Sequence, residues 1–463
     1  MMDGRTRCAE NAVHPDAASF GPGYRIWLLA LTLAVAAFGF IDRVLIATLA
    51  EAIKKDLGLT DFQLGILGGL SFAALYSTVG LPIARLAERH NRVNIISASV
   101  ALFSGATVLC GLAANFLQLF LLRIGVGFGE AGVQSPTVSL LADHFPRERR
   151  GAVTTIMKLG SPLGSVIGAL AAGWIGSAYG WRVAVISISV PGIVVAILFR
   201  LTLREPPRGM SDPAAERDTG DPPPLSAVIR MMRARPEFRQ LLIALALVTI
   251  GMYGTGAFYA PFFMRAHGLS LSEVGVFYAI QTGIAGTIGI GIAGFGVDLI
   301  ARREAKWYAL VPAIGVASSV PFNLVGYSVN NPQVALVFLI AGACLAFFHN
   351  VPTLVALQNM VGARMRATAA FVFFFVTTLV GIGLGPVVLG FVSDLYAGAA
   401  FAGGDYAGMC HAGTAVVRSS VVQERCAAAS TAGIRYALLS GMLFYLWSAM
   451  HYYLASRAMR STL

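Results

Sequence analysis

Residues 120–151 read FLLRIGVGFGEAGVQSPTVSLLADHFPRERRG, and this stretch decides how the rest of the chain is interpreted. It begins as an apolar helical run that nevertheless contains Arg123 and Glu130. It then passes Pro136 and ends in a polar cluster from Asp143 to Arg150. Because charge is costly inside a membrane helix, an ionisable side chain at such a depth indicates a functional site.

The composition indicates a polytopic α-helical membrane protein. Of the 463 residues, 56% are hydrophobic and only 12% are charged, whereas a soluble domain has roughly 25% charged residues. Apolar runs long enough to span a bilayer recur about a dozen times. These runs are continuous rather than alternating, which excludes a transmembrane β-barrel.

The charge and the cysteine content exclude several kinds of partner. The net charge of +11 is interpreted as basic residues in the cytoplasmic loops of a membrane protein, so no nucleic acid is expected. Five cysteines without a CxxC or Cys/His spacing predict neither a metal site nor a cofactor. The polar N-terminal segment has no signal-peptide pattern, and we expect a monomer.

Twelve predicted membrane spans form two groups of six. They occupy 25–50, 62–86, 94–114, 116–141, 151–178 and 181–201, then 237–266, 272–300, 307–328, 332–360, 367–396 and 433–457. The predicted units are an N-terminal segment (1–24), a six-helix bundle (25–201), a linker (202–236), a second bundle (237–457) with a long outer loop (397–431), and a tail (458–463). Within the linker, Leu225–Arg235 is predicted to be an amphipathic interfacial helix.

Charge bias predicts the orientation. Of the 34 lysine and arginine residues, only seven fall on the outer side when the N-terminus is placed inside. These are Lys54, Lys55, Arg182, Arg265, Arg418, Arg425 and Arg435. Basic residues accumulate in cytoplasmic loops, so both termini are predicted to be cytoplasmic in a bacterial inner membrane.

The two groups of helices are predicted to be repeats of each other. Pro136 is followed by Arg150 at the same spacing that separates Pro352 from Arg366. The predicted second helix ends in ARLAERHNRV, and the eighth ends in GFGVDLIARR. Parallel repeats of six helices, with the substrate site between them at mid-membrane, are typical of one large class of transporters.

These motifs resemble the major facilitator superfamily. GLPIARLAERHNR is similar to its loop signature G-x-x-x-D-R-x-G-R-R, with Glu88 in place of aspartate and Asn91 in place of glycine. RIGVGFGEAG, LLADHFPRERRG and the FIDR of the first helix resemble the Spinster family, whose members move sphingosine-1-phosphate or lysophospholipids. Related organic-anion symporters also carry an aspartate–arginine pair in the first helix. The resemblance implies the twelve-helix major facilitator fold.

Three charged residues, Asp42, Arg123 and Glu130, are predicted to form a buried cluster. With a rise of 1.5 Å per residue, Asp42 lies about 18 Å from the outer helix ends, Arg123 about 12 Å and Glu130 about 22 Å. Arg43 either joins them or faces the cavity. Two neighbouring carboxylates in a low dielectric do not both stay ionised cheaply, and the Spinster resemblance implies proton coupling by Asp42 and Glu130. The alternative is a fixed ion pair that locks the helices.

Further residues are candidates for substrate contacts, each with packing as the alternative. Lys158 would anchor an anionic headgroup or snorkel to the surface. When Pro136 is aligned with Pro352 in a comparison of the two repeats, the second half has no acid at the position of Glu130 and has neutral or pH-sensitive residues nearby instead. The candidates are Gln134, Tyr253, Tyr259, His349 and Asn350, with Phe347 and Phe374 along an acyl path.

The loops suggest a gate and a disulfide. Glu88, Arg89 and Arg92, and in the second repeat Asp298 and Arg302, are predicted to close the cytoplasmic side, with helix capping as the alternative. Cys410 and Cys426 lie in the outer loop, where a disulfide persists, although two free thiols are also compatible with the sequence.

The sequence therefore predicts a secondary transporter that works by alternating access. The predicted substrate is an amphipathic anion such as a lysophospholipid or a sphingosine-1-phosphate-like lipid, moved with protons, and a small organic anion is the alternative. No GxxxxGK[ST] nucleotide-binding loop is present. No recognisable nucleophile or metal set supports an intramembrane lipid enzyme. Repeats and paired carboxylates favour a carrier over a channel.

Overall fold

A computed structural model describes residues 20–208, 210, 230–232, 234–301, 304–360, 366–402, 404–410 and 420–460. Within these ranges every regular element is a helix. Most of the predicted amphipathic helix at 225–235, together with Arg302 and the side chain of Asp298, lies outside what the structure describes.

The first six membrane helices are numbered α1 to α6 in chain order, and several are interrupted. α1 is Pro22–Leu57; α2 joins Asp61–Gly65, the π-helical Ile66–Leu70 and Ser71–Arg89; α3 is Arg92–Cys110; α4 joins Phe116–Ala131 and Gln134–His144; α5 and α6 are Arg147–Lys158 with Gly160–Thr202, divided at Gly180. At Gly180 φ is 83°, a left-handed conformation that favours glycine and allows the chain to reverse.

The second six helices are numbered α7 to α12. α7 joins Pro236–Ala257 and Tyr259–His267; α8 is Leu271–Ala301; α9 is Trp307–Ser328; α10 joins Pro332–Ala346, Phe347–His349 and Asn350–Asn359; α11 joins Arg366–Phe375, the π-helical Val376–Leu384 and Gly385–Ala400; α12 is Ser420–Arg460. Ten candidate spans in the described residues meet the length and composition of a membrane crossing. One of them, Ala152–Thr202, contains both α5 and α6. α12 is the twelfth helix and is not among these ten spans. Over the part of the chain that the structure describes, the prediction of an all-helical fold with twelve membrane helices is confirmed.

The ends of the helices follow local capping rules. Thr60 caps α2 by accepting a hydrogen bond from the Gln63 backbone while the Gln63 side chain accepts one from Thr60, a reciprocal capping box. Asn115 caps α4 through its side-chain oxygen. α1 ends at Leu57 and is followed by Gly58, whose φ is 63°. Glycine adopts this left-handed conformation without steric cost.

The last helix is longer than expected. α12 has 41 residues, about 62 Å at 1.5 Å per residue, whereas a bilayer core needs about 30 Å. The sequence predicts a loop at 420–431 because this stretch is too polar to read as a span, but its alanine-rich character favours helix. Cys410 and Cys426 are joined by a disulfide.

Each half has its own hydrophobic core. One core is centred on α1, α3, α4 and α6, with Leu45 and Val126 fully buried. The other is centred on α7, α9 and α12, with Phe238 and Tyr452 fully buried. We call the end where α1 begins and α12 ends the terminal end, and the opposite one the far end.

Glycines bring the two halves into backbone contact toward the far end. A Cβ on Gly65 of α2 would lie 2.2 Å from the carbonyl oxygen of Pro386, and one on Gly390 of α11 would lie 2.2 Å from that of Asp61. Gly173 of α5 and Gly275 of α8 meet in the same manner, at 3.0 Å. Only glycine permits such close approach of membrane helices.

Candidate functional site

The candidate site lies where α1, α2 and α4 meet. Asp42 and Arg43 are neighbours on α1 and therefore point about 100° apart around the helix. Arg123 and Glu130 are seven residues apart on α4, nearly two turns, and so lie on one face of that helix. The four predicted residues come together, and they form two separate pairs.

The first pair joins Asp42 to Arg123 inside the amino-terminal half. The Arg123 guanidinium donates from Nη1 to Asp42 Oδ2 at 2.6 Å, and the Thr107 hydroxyl of α3 donates to Oδ1. Asp42 is 4% exposed and Arg123 is 1% exposed. Both carboxylate oxygens are thus satisfied by a buried network that holds α1, α3 and α4 together, the arrangement expected of a fixed lock.

The second pair joins Arg43 to Glu130 and borders the space between the halves. Arg43 donates from Nε and Nη2 to Glu130 Oε2, at 3.1 Å and 2.6 Å. The other oxygen, Oε1, is buried and has no hydrogen-bond partner. The Arg43 side chain is 25% exposed whereas that of Glu130 is 4% exposed. A buried carboxylate with one unsatisfied oxygen has a place for a proton.

Aromatic rings surround the Arg43 guanidinium. Its central carbon lies 4.6 Å from the centre of the Phe72 ring, 5.1 Å from that of Phe40 and 5.3 Å from that of Tyr76. These distances allow cation–π attraction. The Tyr76 hydroxyl donates to Gln134 Oε1 at 3.1 Å, which connects the predicted contact residue Gln134 to the same group.

On its far side Arg43 borders an apolar cavity. The cavity is small, with a volume of about 40 Å³, and lies between α1, α2 and α7. Apart from Arg43 its lining is apolar: Ile46, Ala47, Ala50, Ile53, Leu64, Leu67, Gly68, Ala257 and Phe258. A cation at the edge of an apolar space suits an anion with an apolar part.

Of the predicted contact residues in the second half, Tyr253 is the one placed beside Arg43. Tyr253 of α7 packs against the core of the first half, and its phenol lies near the Arg43 guanidinium. It therefore joins the two halves at the site. The sequence names Tyr253 as a candidate together with Tyr259, but nothing in the sequence ranks one above the other.

Tyr259 and His349 lie in the carboxy-terminal half, away from Arg43. Tyr259 is 1% exposed and packs edge-on against Tyr278. His349 is 1% exposed, and its Nδ1 lies 2.7 Å from the carbonyl oxygen of Ala346. These positions agree with packing, the alternative interpretation, for His349, whereas the buried Tyr259 hydroxyl has no hydrogen-bond partner among the described residues.

The remaining predicted contact residues are spread along the interior. The Cβ of Phe347 lies against Gly289 of α8, whereas Phe374 is 44% exposed beside the Phe373 ring. Asn350 is half-buried at the break in α10. Lys158 is exposed and lies outside the Arg43 group.

The predicted gating residues of the first repeat differ in environment. Glu88 and Arg89 are exposed at the terminal end. Arg92 is 1% exposed and donates to Asp143 and Glu205, each at 2.6 Å. These contacts stay within the first half and the start of the linker, so in this conformation Arg92 does not connect the halves.

A second group of buried charges, at the far end, is not evident from the sequence. Lys54 of α1, Asp61 of α2 and Arg265 of α7 are in direct contact there. In the sequence Lys54 and Arg265 are ordinary outer positions, because a charge near the end of a membrane helix is unremarkable. Only the fold shows that they meet.

Comparison with known proteins identifies the family. The model of the Major Facilitator Superfamily matches residues 31–386. A solved structure of a bacterial homolog to the human lysosomal transporter Spinster, inward-facing and unoccupied, has 31% identity and a TM-score of 0.86, covering 95% of this chain and 98% of its own.

Two curated relatives are also similar over most of their length. An MFS-type efflux pump of Mycolicibacterium smegmatis is 29% identical, covering 83% of this chain and 88% of the pump. The cis,cis-muconate transport protein of Acinetobacter baylyi is 25% identical, covering 80% and 89%. The chain is therefore a Spinster-like member of the Major Facilitator Superfamily, a family of membrane transporters rather than enzymes.

Proposed function

We propose that the protein is a proton-coupled transporter of an amphipathic anion, a lysophospholipid or a sphingosine-1-phosphate-like lipid, and that Arg43 holds the anionic group. The observation that carries this proposal is the position of Arg43. Its guanidinium is partly exposed, enclosed by aromatic rings and adjacent to an apolar cavity. A guanidinium can bind phosphate or carboxylate through two parallel hydrogen bonds.

Proton coupling follows from competition for Arg43. An anion that takes the guanidinium leaves Glu130 buried without its cation. A buried carboxylate without a partner is strongly disfavoured as an ion, so Glu130 takes up a proton when the anion binds. Anion binding and protonation therefore favour each other, as linkage requires.

The orientation and location are part of the proposal. The strong bias of lysine and arginine supports a cytoplasmic terminal end in a bacterial inner membrane. The contacts between the halves toward the far end, together with the likeness to an inward-facing structure, support a conformation in which the cytoplasmic side is open. We propose that the chain works as a monomer.

A small organic anion is the alternative substrate. It is supported by the similarity to a cis,cis-muconate transport protein. The same guanidinium would bind the carboxylate, but the apolar cavity next to it would then have no counterpart in the substrate. Transport of one probe and not the other decides between the two.

The test is counterflow in proteoliposomes with two labelled probes, a lysophospholipid and cis,cis-muconate. We expect the lysophospholipid to exchange, and Arg43→Lys to slow it. The Arg43→Ala/Glu130→Gln double variant removes both charges, so that no buried acid is left unpaired, and is expected to abolish exchange. Lys158→Ala is the matched comparison and should exchange at the parent rate.

Three results would contradict the proposal. Unchanged lysophospholipid exchange by the double variant would show that Arg43 does not bind the anion. A loss of exchange confined to Lys158→Ala would show that the headgroup binds at α5. Exchange of muconate alone would show that the substrate is the small anion and not the lipid.

A further inference from the structure

A single aromatic ring lies beside both arginines of the charged site. The centre of the Phe72 ring on α2 is 4.6 Å from the guanidinium carbon of Arg43 and 5.9 Å from that of Arg123. Both distances allow cation–π attraction. Phe72 is 0% exposed, so water screens these attractions little. The ring is therefore a contact shared by two ion pairs that are otherwise separate.

The packing of α2 on α4 determines where this ring lies. A Cβ on Gly127 of α4 would be 2.3 Å from the carbonyl oxygen of Phe72, so the two backbones touch at this point. Gly127 follows Arg123 by four residues and precedes Glu130 by three, which places all three on one face of α4. The backbone of Phe72 is therefore held against α4 at a level between Arg123 and Glu130.

The ring itself is held in place by Tyr76, one turn further along α2. The two rings stack with their centres 5.2 Å apart and their planes at 29°. The Tyr76 hydroxyl donates to Gln134 Oε1 at 3.1 Å. Gly127 precedes Glu130 and Gln134 follows it, so α2 contacts α4 on both sides of this acid. These contacts leave the Phe72 ring little freedom to move.

Two buried groups in this region are complementary and yet do not meet. Among the residues that the structure describes, the Nε of Arg123 has no acceptor and Glu130 Oε1 has no donor. Arg123 lies near Glu130, but its hydrogen bond goes to Asp42, whereas the donor to Glu130 is Arg43. Leaving a buried donor and a buried acceptor unsatisfied costs free energy, so packing has to keep them apart.

The charges around Glu130 do not account for this separation. The charged and titratable groups near it come from three helices: Asp42 and Arg43 from α1, Tyr76 from α2, and Arg123 from α4. Tyr253 of the second half lies near Arg43. A guanidinium has five N–H donors and can bind two acids at once. Without a side chain in the way, Arg123 could keep Asp42 and also reach Glu130.

We propose that Phe72 is a positioning residue of the proton-coupling site. Its ring keeps Arg123 paired with Asp42, and Glu130 is left with Arg43 as its single cation. This inference rests on the proposed function, in which an anion takes Arg43 and Glu130 takes up a proton. If Arg123 could replace Arg43, Glu130 would keep a cation when the anion binds and would need no proton. The ring thereby makes proton uptake depend on anion binding.

The first experiment needs no substrate and measures the Tm in detergent at mildly acidic and mildly alkaline pH. Arg43→Ala leaves Glu130 without its cation, so its loss of Tm should be larger at alkaline pH, where an unpaired buried carboxyl has to ionise. Phe72→Leu removes the ring face, so that Arg123 can move toward Glu130. In this background we expect the pH-dependent part of the loss to fall by about half or more, since neighbouring residues are coupled. The direct attraction between Arg43 and the ring does not depend on pH and leaves this difference unchanged.

The second experiment measures the pH dependence of lysophospholipid counterflow. Phe72→Leu should keep counterflow and lose much of its pH dependence, since Arg123 then serves Glu130. Phe72→Tyr keeps the ring and should retain the parent pH profile. Phe199→Leu is the matched control, because Phe199 is also 0% exposed in the core of the first half. Its replacement should lower the Tm equally at both pH values and leave the counterflow profile unchanged.

The outcomes separate this inference from the proposed function. A smaller pH-dependent loss of Tm with Phe72→Leu, but not with Phe199→Leu, supports the positioning role. An unchanged pH-dependent loss with Phe72→Leu overturns it, and so does an unchanged counterflow profile when the parent is pH-dependent. If Phe72→Leu does not fold, Phe72→Met decides in the same way. If the parent shows no lysophospholipid counterflow or no pH dependence, the proposed function fails, and the Tm measurements still decide whether Phe72 separates the pairs.

Discussion

At the scale of single residues, the two acids of the first half have different surroundings and therefore different expected roles. Asp42 has donors on both oxygens and is locked between three helices. Glu130 has one unsatisfied oxygen and a single partner, which also borders the cavity. Proximity of the charges was evident from helix spacing, but the division into two pairs depends on which way each side chain turns.

This difference predicts that neutral substitutions of the two acids change different properties: the pH dependence of transport in one case and the stability of the fold in the other. Glu130→Gln removes the proton site and frees Arg43, so lysophospholipid counterflow should persist while its dependence on pH disappears. Asp42→Asn leaves Arg123 buried without an anion and should lower the free energy of unfolding by about 3–5 kcal/mol. Counterflow against pH and thermal unfolding in detergent measure the two effects. Full pH-dependent transport by both variants would contradict proton coupling at this site.

At the scale of helices, the contact of α2 with α11 relies on glycine. A Cβ on Gly65 would be 2.2 Å from a backbone oxygen, whereas a Cβ on Gly68, less than one turn later, would meet nothing within 4 Å. Backbone cannot yield as a flexible side chain does, so overpacking here should cost about 1–3 kcal/mol.

Gly65→Ala is therefore expected to weaken the closed far end, and Gly68→Ala is its matched control. Ala47 lines the cavity next to Arg43, so a cysteine introduced as Ala47→Cys can report access from outside. A membrane-impermeant maleimide should label this cysteine faster in the first variant and at the parent rate in the second. Transport by Gly65→Ala should fall, since the far end closes less often. Equal labelling of the two variants would mean that this glycine contact does not determine closure.

The existence and order of the helices could be read from the sequence, but the glycine contact and the ion pair of Arg265 with Asp61 could not. Membrane helices are evident in a sequence, because a run of about twenty consecutive apolar residues has the length and composition of a helix that spans a bilayer. The Asp61 backbone donates a hydrogen bond to Asp394, 333 positions later in the chain, and each of them, like Arg265, resembles an ordinary helix-end charge when read alone. The repeat comparison predicts His349 as a contact residue from its position along the helix, and the structure places it at the end of the 3₁₀ segment Phe347–His349.

At the scale of the whole molecule, the two halves contact each other through residues that must part if access is to alternate. Phe62 of α2 and Phe391 of α11 face each other across the far end, with ring centres 6.3 Å apart. Both are substantially exposed, at 39% and 56%, so their replacement disturbs neither core. They offer a place to join the halves without touching the buried charges.

A Phe62→Cys/Phe391→Cys protein bridged by a short thiosulfonate cross-linker should be locked with the far end closed. Transport should fall in proportion to the cross-linked fraction and return on reduction, while each single variant, treated identically, keeps the parent rate. The parent protein carried through the same reduction accounts for any effect of opening the Cys410–Cys426 bond. Binding of the lysophospholipid from the terminal end should survive the lock, because the lock leaves that end in its proposed open conformation. Full transport by the cross-linked protein would mean that the halves do not separate at the far end, and alternating access would have to be abandoned for this chain.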